Sequence, residues 1–314
     1  MRDRREMLPL VVREIVAETP SIVTLRLEDA SARPLPGWEP GAHIDLQLIT
    51  RHERQYSLVG DPADRTGYRI AVQRAPLSRG GSDYIHTHLR PGSRVYVRPP
   101  RNLFAIEEAR AYLLLAAGIG ITPILSMARA LAERGAEWRM IYAVRDRRDI
   151  AFAAELASFG DRVRVHVSGE AGRLDLAAEV TGLASGTDVY ACGPAGFAEA
   201  LAALGGALPG GSRLHMERFE PRPATFRPNE PFTVECATSG IVVEVPADRS
   251  MLAALTGAGV AVQGSCLRGV CGSCALRVVD GVPEHRDSLT ADAGSSTIYP
   301  CVSRAVTPVL VVDA

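Results

Sequence analysis

Four cysteines near the C-terminal end, Cys266, Cys271, Cys274 and Cys301, have the spacing that speaks most directly of chemistry. The first three follow in steps of five and three residues, and the fourth comes after 26 intervening residues. Four thiolates can hold a 2Fe–2S cluster, two to each iron. A four-cysteine zinc site usually comes as two short C-x2-4-C pairs, which is not this pattern. The residues between are small: Gly264, Ser265, Gly269, Gly272 and Ser273 let backbone N–H groups approach the sulfides. The other two cysteines, Cys192 and Cys236, stand alone. A reducing compartment favours metal over disulfides for so tight a cluster.

Three further stretches suit phosphates and flat rings. In Arg54-Gln55-Tyr56-Ser57 the guanidinium can pair bidentately with a phosphate dianion. On a strand Tyr56 shares the face of Arg54 and can pack on a ring system, and Ser57 offers a hydrogen bond. Arg79-Gly80-Gly81-Ser82 combines a charge with backbone N–H groups free to wrap a phosphate. Gly118, Gly120, Ile121, Thr122 and Pro123 join an apolar strand to a helix start, where a pyrophosphate can meet the positive end of the helix. Cys192-Gly193-Pro194 ends a later apolar strand. Arg145 and Asp146 end the second strand of that region, where adenine-ribose selectivity is set. They point opposite ways, the acid towards a free ribose and the arginine towards a 2′-phosphate.

The elements that must position these residues fall into three regions. Residues 8–105 hold short alternating strands, as at Ile22–Leu27, Ala42–Leu48 and Tyr68–Gln73, punctuated by Gly and Pro, which predicts an antiparallel barrel. Ala71 and Val72 of the third strand join the candidate cofactor-binding set. From about residue 110, apolar strands at Ala111–Ala117, Arg139–Val144, Val163–Val167 and Asp188–Cys192 alternate with helices near 123–134 and 150–159. That order predicts a parallel α/β sheet. Residues 220–229 carry three prolines and read as a linker, after which strands at Phe232–Cys236 and Ile241–Val245 and a helix near Met251–Ala258 lead to the cysteine loop.

These motifs resemble a known family. Residues 231–314 are similar to a plant-type ferredoxin domain, Arg54–Ser57 matches the R-x-Y-S flavin motif of the ferredoxin-NADP reductase superfamily, and Arg79–Ser82 matches the phosphate stretch of its FMN branch. The whole order resembles the phthalate dioxygenase reductase and vanillate demethylase reductase family. The resemblance implies a multidomain protein: an FMN-binding β-barrel domain (1–107), an α/β parallel-sheet NAD-binding domain (108–219), a linker (220–230) and a β-grasp 2Fe–2S ferredoxin domain (231–314). The superfamily writes the pyrophosphate turn as G-G-x-G-I-T-P, from which Ala117 departs. Cys192, Gly193 and Pro194 match its C-G-P turn beside the nicotinamide, with Cys192 as a positioning residue. Phe219 sits where family members place an aromatic against the flavin. The family preference is NADH, and its partner is a terminal Rieske-type oxygenase. The competing classes are a stand-alone NADH-dependent reductase and a redox-sensing module.

Composition narrows the field. All 35 basic residues are arginine, which removes lysine Schiff-base and P-loop chemistry. Against 36 acidic residues they leave a net charge of −1, which argues against nucleic acid as a partner. Apolar runs of about ten residues fall short of the ~20 a membrane span needs. The charged N-terminus is followed by no long apolar segment, so no signal peptide is expected and the protein is read as a cytoplasmic monomer. The seven histidines form no C-x-H pair for a Rieske centre in this chain; His86 and His88 are expected at solvent and Cys236 in a core.

Overall fold

A computed structural model describes residues 7–48, 53–75, 80–290 and 294–314. They form two compact units, the first ending at Glu217 and the second beginning at Arg218.

The first half of unit one is antiparallel. It contains β1 (Leu8–Thr19), β2 (Ile22–Asp29), β3 (Ala42–Gln47), β4 (Glu53–Ser57), β5 (Gly67–Gln73), β6 (Arg94–Val97) and β7 (Arg101–Asn102). They pair in the order β4-β3-β6-β1-β2-β5, with β7 on β3. Alternate residues, among them Leu10, Val12, Leu25, Leu27, Ile44 and Leu46, turn inward to one core. The outermost strands of this order, β4 and β5, are joined through the isolated Leu58–Ile70 bridge, which brings the two edges of the curled sheet together. Helix α1 (Gly81–His88) follows β5. Strand β1 escapes the alternation pattern because its register on β2 shifts between Val12 and Glu14 and again between Ala17 and Thr19.

The rest of unit one alternates strand and helix: β8 (Ala111–Ala117), α2 (Ile121–Glu133), β9 (Trp138–Val144), α3 (Ala153–Ser158), β10 (Val163–Val167), α4 (Ser168–Ala171), α5 (Leu176–Thr181), β11 (Thr187–Cys192), α6 (Ala195–Ala203) and β12 (Leu214–Glu217). Every pairing in the order β10-β9-β8-β11-β12 is parallel. All seven residues of β8 are buried, as a central parallel strand requires. The chain leaves β8 towards β9 on one side and comes back to β11 on the other. The turns after β8 and β11 therefore flank one crevice at the C-terminal edge, where such sheets bind ligands. Helix α3 is shorter than the sequence predicts because Phe152 takes a left-handed φ of 58° and interrupts it.

Unit two holds β13 (Phe232–Cys236), β14 (Val242–Val245), α7 (Met251–Gly257), β15 (Leu276–Asp280), β16 (Pro283–Glu284), β17 (Thr297–Ile298), β18 (Arg304–Ala305) and β19 (Val309–Val312). Its mixed sheet runs β14-β13-β19-β15-β17, with β13 and β19 parallel, and β16 pairs with β18. Ser250 caps α7 through the N–H of Ala253, and Met251, Ala254 and Leu255 pack with Phe232, Val234, Cys236 and Leu310. The proline-rich stretch is laid along this unit: Arg222 N donates to Ser288 Oγ (2.7 Å), Asn229 Nδ2 to Ala247 O (2.8 Å) and Arg286 Nη2 to Arg227 O (3.1 Å). Among the described residues no helix is long and apolar enough to cross a membrane.

Within unit one the barrel abuts the parallel sheet at Gly41, whose N–H reaches Ser126 Oγ of α2 at 3.4 Å. Its φ is 92°, and a methyl there would fall on the Phe104 carbonyl and lie 3.0 Å from Met127 Cε. Gly41→Ala is expected to destabilise unit one by roughly 3 kcal/mol, strain and overlap together. Chemical denaturation followed by far-UV circular dichroism checks this, and a loss within about 0.5 kcal/mol would contradict it.

Candidate functional site

The β4–β5 side of the barrel and the helix after β5 carry the residues expected to hold a phosphorylated ring. Arg54 and Tyr56 lie on β4, Ala71 and Val72 on β5, and Gly80, Gly81 and Ser82 begin α1. A Cβ on Gly81 would stand 3.0 Å from Arg54 Nε and 3.2 Å from Leu48 Cδ1, so the missing side chain is what lets Arg54 lie against the helix start. Gly80 supplies the left-handed φ of 89° that turns the chain into α1. A guanidinium beside the start of a helix is the arrangement a phosphate cradle needs. Tyr56 packs on the barrel core, and burial pushes its phenol well above the usual range. Ala71 and Val72 are buried, Val72 in that core. His86 departs from the expectation of a solvent position: its Nε2 meets the Val72 carbonyl at 2.9 Å and ties α1 to β5. His88 is exposed. Arg79 lies outside the described residues.

The crevice at the parallel sheet is built by close backbone contact. Gly118 to Gly120 form one tight turn after β8, with Gly118 at a φ of 56°. A methyl on Gly120 would collide with the carbonyl of Cys192 and lie 2.8 Å from Gly193 N. One on Gly193 would stand 2.9 Å from the Ala117 Cβ, so the chain accommodates its departure from a first glycine by lacking a side chain opposite. The side chains of Ile121, Thr122 and Pro123 are buried, and Thr122 Oγ1 donates to Ile119 O at 3.0 Å. Ile121 N donates back to the Gly118 and Ile119 carbonyls and Pro123 carries no N–H, so these positions shape the start of α2 beside the crevice. Pro194 caps α6, its carbonyl accepting from Phe197 and Ala198. Arg145 is exposed, while Asp146 Oδ2 stands 3.7 Å from Arg148.

The structure adds a residue that sequence reasoning missed. Glu217, the last of β12, is paired in register with Cys192 of β11. The hydroxyl of Ser57, from the end of β4, donates to Glu217 Oε2 at 3.4 Å. Ser57, Cys192 and Glu217 thus meet where barrel and parallel sheet adjoin. Cys192 is fully buried, and burial, with Glu217 adding to it, pushes its thiol well above the usual range, as suits a positioning group rather than a nucleophile. Glu217 keeps some accessible surface, yet surrounding protein pushes its carboxyl up to about 8, with Ser57 pulling the other way. No sequence signal marked it, because only the pairing of β12 with β11 brings it to Cys192. Phe219 is half-buried and belongs to unit two.

In unit two the four cysteines converge. Cys266 Sγ interacts with the thiols of Cys271 and Cys301, and Cys274 with Cys301. Crowding lets Cys266 carry charge, held low first by Cys271, while Cys271 and Cys301 are driven upward by Cys266. Arg268 N donates to Cys266 Sγ at 3.3 Å, and Ser273 Oγ lies 3.2 Å from Cys271 Sγ. Leu267, Gly269 and Gly272 all have positive φ, which wraps the loop around the sulfurs. Among the described residues no three thiol, imidazole or carboxylate groups gather as ligands of a single ion. A binuclear cluster asks for two thiolates per iron, and four converging thiols are the number it needs. Asp287, also unforeseen, accepts from the N–H groups of Leu289 and Thr290 and from Ser303 Oγ, and so fastens the Cys301 segment.

A barrel with a phosphate cradle, a parallel sheet with a nucleotide crevice and a four-thiol loop define a nucleotide-dependent iron–sulfur oxidoreductase. Residues 114–203 match the oxidoreductase NAD-binding domain and residues 234–306 the 2Fe-2S iron-sulfur cluster binding domain. The chain is 43% identical to the heme-dependent oxidative N-demethylase beta subunit of Ectopseudomonas mendocina (91% of this chain, 92% of that one). It is 39% identical to the vanillate O-demethylase oxidoreductase of Pseudomonas sp. strain HR199 (98% and 100%). Among solved structures, phthalate dioxygenase reductase, described as modular for electron transfer from pyridine nucleotides to [2Fe-2S], matches with a TM-score of 0.72 at 35% identity over 98% of both chains. An intact type IV self-sufficient cytochrome P450 monooxygenase matches with a TM-score of 0.91 at 37% identity; the alignment covers 98% of this chain and about two fifths (41%) of that one. The chain belongs to the oxygenase-reductase family that includes vanillate O-demethylase oxidoreductase and phthalate dioxygenase reductase.

The Glu217 carboxyl has a pH signature. Between its ordinary value of 4.5 and about 8 the folded protein holds a proton that the unfolded chain releases. Stability from this group is therefore complete at low pH and is lost as pH rises through that window. Glu217→Gln should remove the loss, so the melting temperature of the variant gains on wild type from pH 4.5 to 8. A difference that stays constant across the range would show the carboxyl is not held protonated.

Proposed function

We propose that this protein is the reductase component of an oxygenase system, taking electrons from NADH and delivering them singly to the oxygenase. The observation that carries the reading is the coexistence, in one chain, of the Arg54–Gly81 cradle, the Gly120–Cys192 crevice and the four-thiol loop. A nicotinamide gives up two electrons as a hydride and an iron–sulfur cluster takes one; FMN, when bound, supplies the conversion.

The chain's own residues have these roles in the proposal. Arg54, Arg79, Gly80, Gly81 and Ser82 hold the FMN phosphate. Tyr56, Ala71 and Val72 border the ring, and Ser57 hydrogen-bonds near its reacting edge. Gly118, Gly120, Ile121, Thr122 and Pro123 border the nucleotide pyrophosphate. Cys192, Gly193 and Pro194 shape the nicotinamide end, where Glu217 keeps a neutral carboxyl beside Ser57. Cys266, Cys271, Cys274 and Cys301 hold the irons. Residues 1–107 serve the flavin, 108–219 the nucleotide and 231–314 the cluster, joined by 220–230. No acid–base pair is required, since the donor delivers hydride. We place the protein in the cytoplasm as a monomer, where reducing conditions preserve free thiols.

A Rieske-type terminal oxygenase is the partner we propose. A haem oxygenase is the second reading, favoured by the relative that is a subunit of a heme-dependent N-demethylase and by the P450 match. Reconstitution with each oxygenase class and measurement of coupled NADH consumption decides between them.

Purified protein should release FMN and contain two irons per chain, and NADH should exceed NADPH in kcat/KM. Replacing Cys271 by Ser should cut cytochrome c reduction by about a hundredfold, since serine is a poorer ligand in a thiolate site. Ferricyanide, which accepts electrons without the cluster, should still be reduced at near wild-type rate. Cytochrome c activity surviving in the variant would mean that electrons leave from the flavin instead.

A further inference from the structure

A chain of charged side chains joins the barrel to the parallel sheet within unit one. Glu155 of α3 accepts from Arg69 Nη1 of β5 at 2.5 Å and pairs also with Arg129 of α2. Arg129 Nη1 donates to the carbonyls of Val59 (2.9 Å) and Gly60 (2.8 Å), the second and third residues after Ser57. Arg69 Nη2 reaches Glu18 of β1 at 3.0 Å, and Glu18 Oε2 accepts the backbone N–H of Phe152 at 3.3 Å. The Arg69 guanidinium also lies 5.2 Å from the centre of the Phe152 ring. Phe152 is buried and holds its left-handed φ of 58°, a conformation that a bulky residue keeps only when its surroundings impose it.

Each end of this clasp lies one step from a part of the proposed site. Val59 and Gly60 lie in the segment that follows β4, which ends at Ser57. Arg129 rides on the helix that opens at the Gly118–Gly120 turn. Phe152 closes the loop that begins at Arg145, where the adenosine ribose is selected. The loop, the helix and the flavin strand are thus tied to one carboxylate.

We propose that Glu155 is a positioning residue for hydride transfer: by holding Arg69 and Arg129 together it fixes the register between the nucleotide sheet and the flavin barrel. The inference rests on the NADH and flavin reading above. A displaced nicotinamide costs rate far more than it costs binding, because the adenosine and pyrophosphate contacts remain while the reacting atoms no longer meet.

The test is anaerobic stopped-flow reduction of the flavin by NADH in the full-length holoprotein, comparing wild type with Glu155→Gln and Glu18→Gln. Glutamine keeps the shape of Glu155 and removes the charge shared by the two arginines. The limiting rate should fall about tenfold in Glu155→Gln, and less in Glu18→Gln, with half-saturating NADH within about twofold of wild type. A merely structural role would lower flavin content and signal amplitude while the remaining holoprotein reacted at the wild-type rate, and that result overturns the proposal. If Glu155→Gln cannot be loaded with flavin, Glu18→Gln decides alone: a wild-type limiting rate there rejects the clasp. Wild-type flavin that NADH fails to reduce would instead reject the functional reading on which the proposal stands.

Discussion

The contact of Gly120 with the Cys192 carbonyl, too close to admit even a methyl group, is the constraint on which the nucleotide half of the molecule depends. It follows from placing β8 and β11 side by side in a parallel sheet whose connections leave them in opposite directions. The two strand-end turns then have to share one space. The chain meets that demand with Gly118, Gly120 and Gly193, so backbone rather than side chains lines the crevice. Backbone N–H groups are what a pyrophosphate needs. Because β12 pairs with β11, the same arrangement carries Glu217 to Cys192 and brings both to Ser57 at the end of the barrel strand.

Electrostatics at that meeting point follow from burial. A carboxyl at about 8 and a thiol pushed well above its ordinary range are both uncharged at neutral pH. Three polar residues thus surround the junction without a fixed charge, an environment suited to hydride movement rather than proton abstraction. Charged side chains in unit one are instead paired with one another, for example Arg98 with Glu53 at 3.0 Å and Arg101 with Asp45 at 2.7 Å, each carboxylate wholly buried. Breaking such a pair from one side costs about 3–5 kcal/mol, so these pairs hold β3 and β4 to the chain that follows β6.

Much of this was legible in the sequence, and the limits have physical reasons. A fully apolar run read as β8 with the bounds the structure gives, because a strand buried on both faces needs no alternation. The steps between cysteines pointed to the thiol cluster because ligand geometry is local along the chain. Glu217 was not legible, since only the pairing of β12 with β11 makes it a neighbour of Cys192. The start of α3 was misplaced because the left-handed turn at Phe152 is imposed by Glu18 and Arg69, both far away in sequence. The proline-rich stretch reads as a linker by composition, and the structure adds its hydrogen bonds, donated to Ser288 Oγ and the Ala247 carbonyl and accepted from Arg286, all within unit two.

The central claim is that one chain unites a two-electron acceptor with a one-electron acceptor. An anaerobic NADH titration, followed by visible absorbance and by the paramagnetic signal of the reduced cluster, tests it most directly. With flavin taking two electrons and the cluster one, complete reduction should require about one and a half NADH per chain, and the cluster signal should develop as the flavin bleaches. An end point at one NADH with no paramagnetic signal, or flavin that bleaches while the cluster stays oxidised, would contradict the account.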